Sequence, residues 1–532
     1  MIVENRENFL VKICFLLIIL LVFLSIYNAL IIGLSWDEGF HHINGLVRFN
    51  YLTSLGDYKN YNYLNNQYYP GLYDTIAYAI SHFVETINKQ FFNKYLSEIK
   101  HLINLFFSLL SLLGLFLLVR NFFNKSISVL SVFFTLLNPF FFGHMSMNPK
   151  DIIIFFSLIW FCYFFWKYLN DKNNLYLNLF ASIFFAGFGC GTRLSFVAVL
   201  CPVFIIGVIY FFKKTNDYFA SFKIFFIHLI LSIFLIIFFT VIAWPHILAN
   251  PFQLVFDTIK NSINWNDGPK LILIDGIFHE TKDTSLSYFF NMIKFKFPFF
   301  LTFLYFSSYF IILLNKNYFN QIISNFFIKF LIVNILILFP IVLSIIFSVI
   351  LYDYLRLVIF IIPFMSILVS LSFYYFLKNF YSSFYSKISL GIVFLLFILF
   401  FYRYIALNPY QYTYVNYYYS RLPNSLFKFE HDYWGTSIKE LVLKIKKNYS
   451  TEEINNFKIF YCGANFYTVA YYLKTYLNIT KIYRDADHIL MTNRASFDPN
   501  KKTTCFSSFE GEDIITVTKN GLMLSTLRKI KN

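Results

Sequence analysis

Charge is what this chain has least of. Only 14% of its 532 residues are Asp, Glu, Lys or Arg, and 58% are hydrophobic, where a soluble domain carries about a quarter charged residues. Mean hydropathy is +0.59. A water-soluble fold is therefore excluded, and the chain is a polytopic α-helical membrane protein. Cysteine is also scarce. The six cysteines form no CxxC pair and no Cys/His cluster at metal-ligand spacing. Cys14, Cys162, Cys190 and Cys201 lie in or beside apolar runs, where Cys acts as a small hydrophobe. Cys462 and Cys505 stand in the polar C-terminal part and can pair if that part is outside the cytoplasm. No small-x-small cleavage site precedes Trp36, and the first apolar run is too long for the core of a signal peptide, so it reads as a retained anchor. The 74 Phe and 41 Tyr read as lipid-facing and packing residues, with some in interfacial belts.

A spanning helix needs about 20 largely apolar residues. Eleven segments qualify as candidates: 13–34, 101–119, 127–146, 151–168, 176–192, 195–212, 223–244, 297–314, 329–351, 357–377 and 387–406. Residues 72–88 are apolar on one face only and suit a helix lying in the interface. Lys and Arg set the orientation. With Arg6 and Lys12 cytoplasmic, the remaining inner loops hold Arg120 and Lys125; Lys167 and Lys172; Lys213, Lys214 and Lys223; Lys316 and Lys329; Lys378 and Lys387. Much of the net charge of +16 is thus a topology signal, and nucleic acid is not an expected partner. The N-terminus is expected in the cytoplasm and the C-terminal part outside it, in the inner membrane of a bacterial cell. Residues 1–407 form the expected membrane domain, with outer loops at 34–100 and 245–296. Residues 408–532 form a small extracytoplasmic α/β domain, with a helix over 436–447 and strands at 458–462, 488–492 and 513–518. That domain has no nucleophile elbow, P-loop or GxGxxG signal.

Every unusual polar motif falls on the outer side. Trp36-Asp37-Glu38 follows the first span, and charge so close to lipid is costly unless it faces water or does chemistry. Asp37 is a candidate general base for an acceptor hydroxyl, with Glu38 orienting the acceptor or tuning its neighbour; a solvated helix cap is the plainer alternative. His41 and His42 are adjacent and point in different directions on a helix, so joint metal ligation is not favoured. In Met147-Asn148-Pro149-Lys150-Asp151, Pro149 suits a helix start and Asn148 an N-cap, while Lys150 and Asp151 face the proposed site. Arg193, at the end of Gly191-Thr192-Arg193, is an interfacial anchor or an anion ligand. Arg356, in Tyr352-Asp353-Tyr354-Leu355-Arg356, offers bidentate donors to a phosphate or bridges to Asp353. Trp244-Pro245-His246 opens the second long outer loop as a rigid exit from the bilayer.

In order and sidedness, WDE, MNPKD, GTR, WPHILANP, YDYLR, NPYQYTYVN and DYWGTSIKE resemble the GT-C superfamily of membrane glycosyltransferases, close to glycosyltransferase family 39 and the protein O-mannosyltransferases. The resemblance covers nearly the whole chain. It departs at the second outer loop, which lacks the His- and aromatic-rich stretch often found there. It implies a GT-C-like fold and an inverting transfer on the extracytoplasmic face. The donor would be a polyprenyl-phosphate sugar, of undecaprenyl type in a bacterium, and the acceptor a lipid, glycan or protein. By the same resemblance Asp37 is the base, Glu38, Lys150 and Asp151 line the site, and Arg193 or Arg356 holds the donor phosphate; Asp37 and Glu38 are thus the catalytic candidates, and His41 and Asn148 are further candidates for lining the site. No cofactor is firmly implied, and a divalent metal is not favoured. The alternative is a transporter or flippase of lipid-linked sugars, although the polar groups sit at one face and no internal repeat is evident.

Overall fold

The computed structural model describes all residues except 1, 172, 215–217, 266–267, 284, 422–423, 425–426, 474–478, 497, 499 and 531–532. Lys172 therefore lies outside the described residues, as do the side chains of Arg6 and Lys214.

All eleven apolar segments are helical, but they are not equivalent. The helices are α1 (Ile2–Ile31), α2 (Glu38–Thr53), α3 (Leu72–Ile87), α4 (Lys89–Phe122), α5 (Lys125–Leu136), α6 (Pro139–His144), α7 (Asp151–Asn170), α8 (Leu175–Thr192), α9 (Phe196–Lys214), α10 (Tyr218–Val241), α11 (Pro251–Ile263), α12 (Leu286–Lys296), α13 (Phe299–Leu314), α14 (Lys316–Ile322), α15 (Phe326–Ile346), α16 (Ile361–Lys378) and α17 (Phe384–Ala406). Among the described residues nine are long and apolar enough to cross a membrane, and α13 with α14, bent by 90°, makes a tenth. The expected span at 127–146 is broken. Asn138 leaves the helical region, its side chain accepts from the Phe141 N–H, and Pro139 opens α6. A proline has no N–H to continue the ladder of α5, so α5 keeps 12 residues, about 18 Å of rise and short of a bilayer.

The bundle is apolar both inside and out. The central α7 and α16 are 72% and 78% buried over their most apolar stretch, whereas α10 is 11% buried and turns Phe226, Ile230, Phe234 and Ile237 outward. An exposed shell this apolar suits lipid, not water. Buried hydroxyls are satisfied locally: those of Ser111, Ser131, Thr135, Ser157 and Ser370 each donate to the carbonyl four residues back, so they cost little in an apolar surround.

Residues 408–437 pack into the same core as the spans, through Tyr410, Tyr412, Tyr414, Phe429, Tyr433 and Trp434. A second core begins at Ile438. It joins α19 (Ile438–Asn448), α20 (Thr451–Asn456) and α21 (Phe466–Leu473); the short α18 (Tyr417–Ser420) packs against the first core through Tyr419, and α22 (Cys505–Ser508) clusters with Ile489 and Met491. A hairpin of β1 (Leu271–Ile274) and β2 (Ile277–Glu280) belongs to the second outer loop; the C-terminal sheet holds β3 (Ile459–Cys462), β4 (His488–Thr492), β5 (Gly511–Lys519) and β6 (Leu522–Ile530) in the order β3-β4-β6-β5. β3 and β4 are parallel and the other pairs antiparallel. β6 is an element beyond those expected. Asn520 and Gly521, both at positive φ, form the tight turn that pairs it with β5. Cys462 and Cys505 form a disulfide, tying β3 to α22.

Candidate active site

The polar motifs meet at one end of the bundle: the end of α1, the starts of α7 and α16, and the end of α8. The chain leaves α1 at Gly33, whose N–H donates to the Thr436 carbonyl at 3.2 Å. A Cβ there would lie 2.3 Å from that oxygen, so only glycine allows the approach that aims Trp36-Asp37 inward.

Arg356 is the hub. Its Nη1 donates to Asp37 Oδ2 at 2.8 Å and lies 3.4 Å from Asp353 Oδ2, while Nε faces Asp151 Oδ2 at 3.7 Å. The guanidinium sits 4.9 Å from the ring centroids of both Tyr352 and Trp434, stacked as arginines are at aromatic faces. Asp353 also accepts from Trp434 Nε1 at 3.0 Å and from Arg494 Nη2 at 3.1 Å. Asp353 and Tyr354 both have positive φ, 54° and 60°, a costly conformation for such residues that recurs where a site fixes the backbone. Asp151 pairs with Arg193 Nη1 at 3.1 Å and accepts from Asn148 Nδ2 at 3.2 Å. Asn148 Oδ1 in turn accepts from the backbone N–H of Asp151 at 2.9 Å, which fixes the start of α7. The Lys150 ammonium lies 3.9 Å above the Tyr69 ring.

Three carboxylates (Asp37, Asp151, Asp353) therefore face four cations (Lys150, Arg193, Arg356, Arg494), which leaves one net positive charge while Lys150 is protonated. Burial alone would raise the Asp37 carboxyl, but Arg356, with His41, Lys150 and Arg494 behind it, holds it below its usual 3.8. Burial, then Arg193, pushes Lys150 down to about 7 against the pull of Asp151 and Asp37. Arg356 stays firmly charged: burial disfavours the cation, and Asp37, Tyr352, Asp353 and Asp151 outweigh it.

The expected site residues thus separate into two groups. Asp37, Asp151, Lys150, Arg193 and Arg356 come together, with Asn148 supporting them. Glu38 and His41 keep other company. Glu38 accepts from the Ser35 N–H at 2.6 Å and faces His101 Nε2 at 3.1 Å. His41 Nδ1 pairs with Asp74 at 3.0 Å. The Arg356–Asp353 bridge, one of the two readings open for Arg356, is present, and this arginine is almost wholly buried. Arg193 is the more open cation, with 23% of its side chain exposed. Sequence reasoning missed Arg494, Trp434 as a partner of Asp353, and Tyr69. Trp434 lay in a motif already singled out, but nothing in Met491-Thr492-Asn493-Arg494 marks its arginine.

Arg193 also heads an apolar groove between α9, α11 and α15. Ile154, Val197, Ile259, Leu343, Leu357 and Phe360 line it, and its volume is about 1380 Å³ including its open side. Among the described residues no group of three or more His, Cys, Asp or Glu is disposed to hold a metal ion.

Residues 89–244 match the family model described as dolichyl-phosphate-mannose-protein mannosyltransferase. No curated protein sequence matches the chain. Among solved structures, ArnT from Cupriavidus metallidurans bound to undecaprenyl phosphate superposes with a TM-score of 0.54 at 12% identity, covering 96% of this chain and 97% of that one. The apo form of the same protein gives 0.50 at 11% identity with the same coverage. The chain is a multi-span membrane protein with the fold of ArnT, and its 89–244 segment matches the family model described as dolichyl-phosphate-mannose-protein mannosyltransferase.

Proposed function

We propose that this protein is a membrane glycosyltransferase that moves a sugar from a polyprenyl-phosphate donor to an acceptor hydroxyl, with Asp37 as general base. The observation that carries the reading is the junction at Arg193: one guanidinium shared by a long apolar groove and a buried cluster with surplus positive charge. A lipid phosphate needs both, an apolar channel for its chain and cations for its head. ArnT, which shares the fold, has been crystallised with undecaprenyl phosphate.

In this mechanism the prenyl chain lies along the α9/α15 groove and the phosphate sits at Arg193 and Lys150. The acceptor oxygen attacks the anomeric carbon opposite the phosphate, so the new C–O bond forms as the old one breaks and configuration inverts. The acceptor proton passes to Asp37, and the bonding electrons leave on the polyprenyl phosphate, whose charge Arg193 and Lys150 stabilise. Asp37 is a weak base in the empty site because Arg356 holds it ionised. A bound phosphate shares the cations with it and raises its basicity toward what the step needs. Asp353, Trp434 and Arg494 keep Arg356 in place and are positioning residues. The clustering of the charges at one end of the bundle favours transfer over transport, since transporters hold their polar groups near the midplane.

The test is transfer from a labelled polyprenyl-phosphate sugar by Asp37→Asn in membranes that retain the folded protein. Loss of turnover with donor binding intact is expected; unchanged turnover removes Asp37 as the base.

A further inference from the structure

A second cavity is enclosed by α2, α3, α4 and Pro149. Its volume is about 430 Å³ including its mouth, and Glu38, His42, Asp74, Tyr78, Ser81 and Lys100 are among its walls. Counting donors and acceptors on those walls shows which kind of group is missing. Both carboxylates are already engaged: Asp74 by His41 and by Asn44 Nδ2 at 2.6 Å, Glu38 by Ser35 and His101. Asn104 is also satisfied, donating to the Met145 carbonyl and accepting from Tyr73. Among the described residues three cavity-lining donors are left over: Lys100, His42 and the Tyr78 hydroxyl. The Lys100 Nζ is buried without a hydrogen-bond partner, 5.9 Å from the Tyr467 ring centroid. The His42 ring packs on Tyr78 at 5.4 Å and makes no hydrogen bond among the described residues. A buried ammonium with no acceptor is costly, so the absent partner is an acceptor, and next to a cation the strongest acceptor is an oxyanion.

We infer that this cavity is a second ligand site, in which Lys100 and His42 take the phosphate oxyanion of a membrane lipid headgroup or of a soluble phosphate ester. The wall helix α3 turns Ile80, Phe83 and Ile87 outward, and Phe91 follows at the start of α4. This apolar outer face of α3 suits the edge of a bilayer and favours the lipid source. The site is independent of the transferase reading: it shares no residue with the Arg193 groove.

The experiment is thermal unfolding of the full chain in neutral detergent, titrated with phosphatidylglycerol, with diacylglycerol as the phosphate-free control, and with glycerol 3-phosphate. Phosphatidylglycerol is expected to raise the melting temperature saturably while diacylglycerol does not. Apparent affinity should fall at least tenfold in Lys100→Met and, separately, in His42→Gln, and should stay unchanged in Arg193→Gln. An equal response to glycerol 3-phosphate assigns the site to a soluble ester, and a response to phosphatidylglycerol alone assigns it to lipid. Lys100→Met without ligand should melt higher than the parent, because it removes an unpartnered buried ammonium. No saturable response to either phosphate compound, equal affinity in both the Lys100 and His42 variants, or a response lost in Arg193→Gln overturns the inference.

Discussion

At Arg356 a single side chain reaches three carboxylates, and the consequences of changing it follow from what it leaves behind. In Arg356→Gln, Asp37 loses its guanidinium, while Asp151 keeps Arg193 and Asp353 keeps Arg494. Breaking a buried pair in this way costs about 3 to 5 kcal/mol, read as a lowered thermal midpoint. Asp37→Asn removes only the partly exposed member of the set. It should fold with little loss while transfer falls roughly 10² to 10⁴-fold, the usual worth of a general base. The pH profile of kcat/KM is expected to show both groups in the free protein. Asp37 has its folded pKa lowered, so its stabilising charge is present above 3.8 and is lost as pH falls through a lower value; the acid limb should therefore lie below the ordinary aspartate range. Lys150 loses its proton as pH rises through about 7, so phosphate binding should weaken above neutrality. Lys150→Arg keeps the charge there and should abolish that basic limb. A limb near 7 that persists in Lys150→Arg belongs to another group.

Among the elements, the groove between α9 and α15 makes the sharpest demand. Leu343 lines it, and Leu343→Trp should raise the KM for a polyprenyl-phosphate sugar at least tenfold while kcat changes little, because chain binding, not chemistry, is obstructed. An unchanged KM for a full-length prenyl chain would count against the groove as its seat. The sequence signals that worked here are those with long-range consequences. Apolar run length marked all eleven helices, and the outer-side grouping of WDE, MNPKD, GTR and YDYLR anticipated that Asp37, Lys150, Asp151, Arg193 and Arg356 would meet. Local rules were less informative. Glu38 follows Asp37 directly, yet on entering α2 it turns to His101, a pairing across 63 positions that no local spacing encodes. The break at Pro139 and the Asn520-Gly521 turn were readable, since each has a stereochemical signature. Arg494 was not: its role depends on how β4 delivers the following loop to Asp353.

For the whole molecule, the disulfide joins residues 43 apart and closes a loop worth about 4 kcal/mol in the chain-entropy estimate. Cys462→Ser should lower the thermal midpoint of the C-terminal domain, and a thiol reagent should label the released Cys505. A reporter fused after residue 407 should report from outside the cytoplasm; a cytoplasmic readout would contradict the proposed sidedness.

The C-terminal chain is also fastened onto the first span. Lys439 Nζ donates to the carbonyls of Leu30 and Ile32 and to Glu98 Oε1, Tyr472 Oη accepts from the Leu34 N–H, and Asn465 Nδ2 donates to the Trp36 carbonyl. The loop carrying the proposed base is thus locked by residues made about 400 positions later on the ribosome. Until the segment carrying Trp434 and Arg494 has seated, Asp353 lacks both partners, and Asp37 lacks a fixed backbone. The order of synthesis therefore acts as a timer: a nascent or truncated chain can insert every span and still lack the arrangement on which the proposed transfer rests.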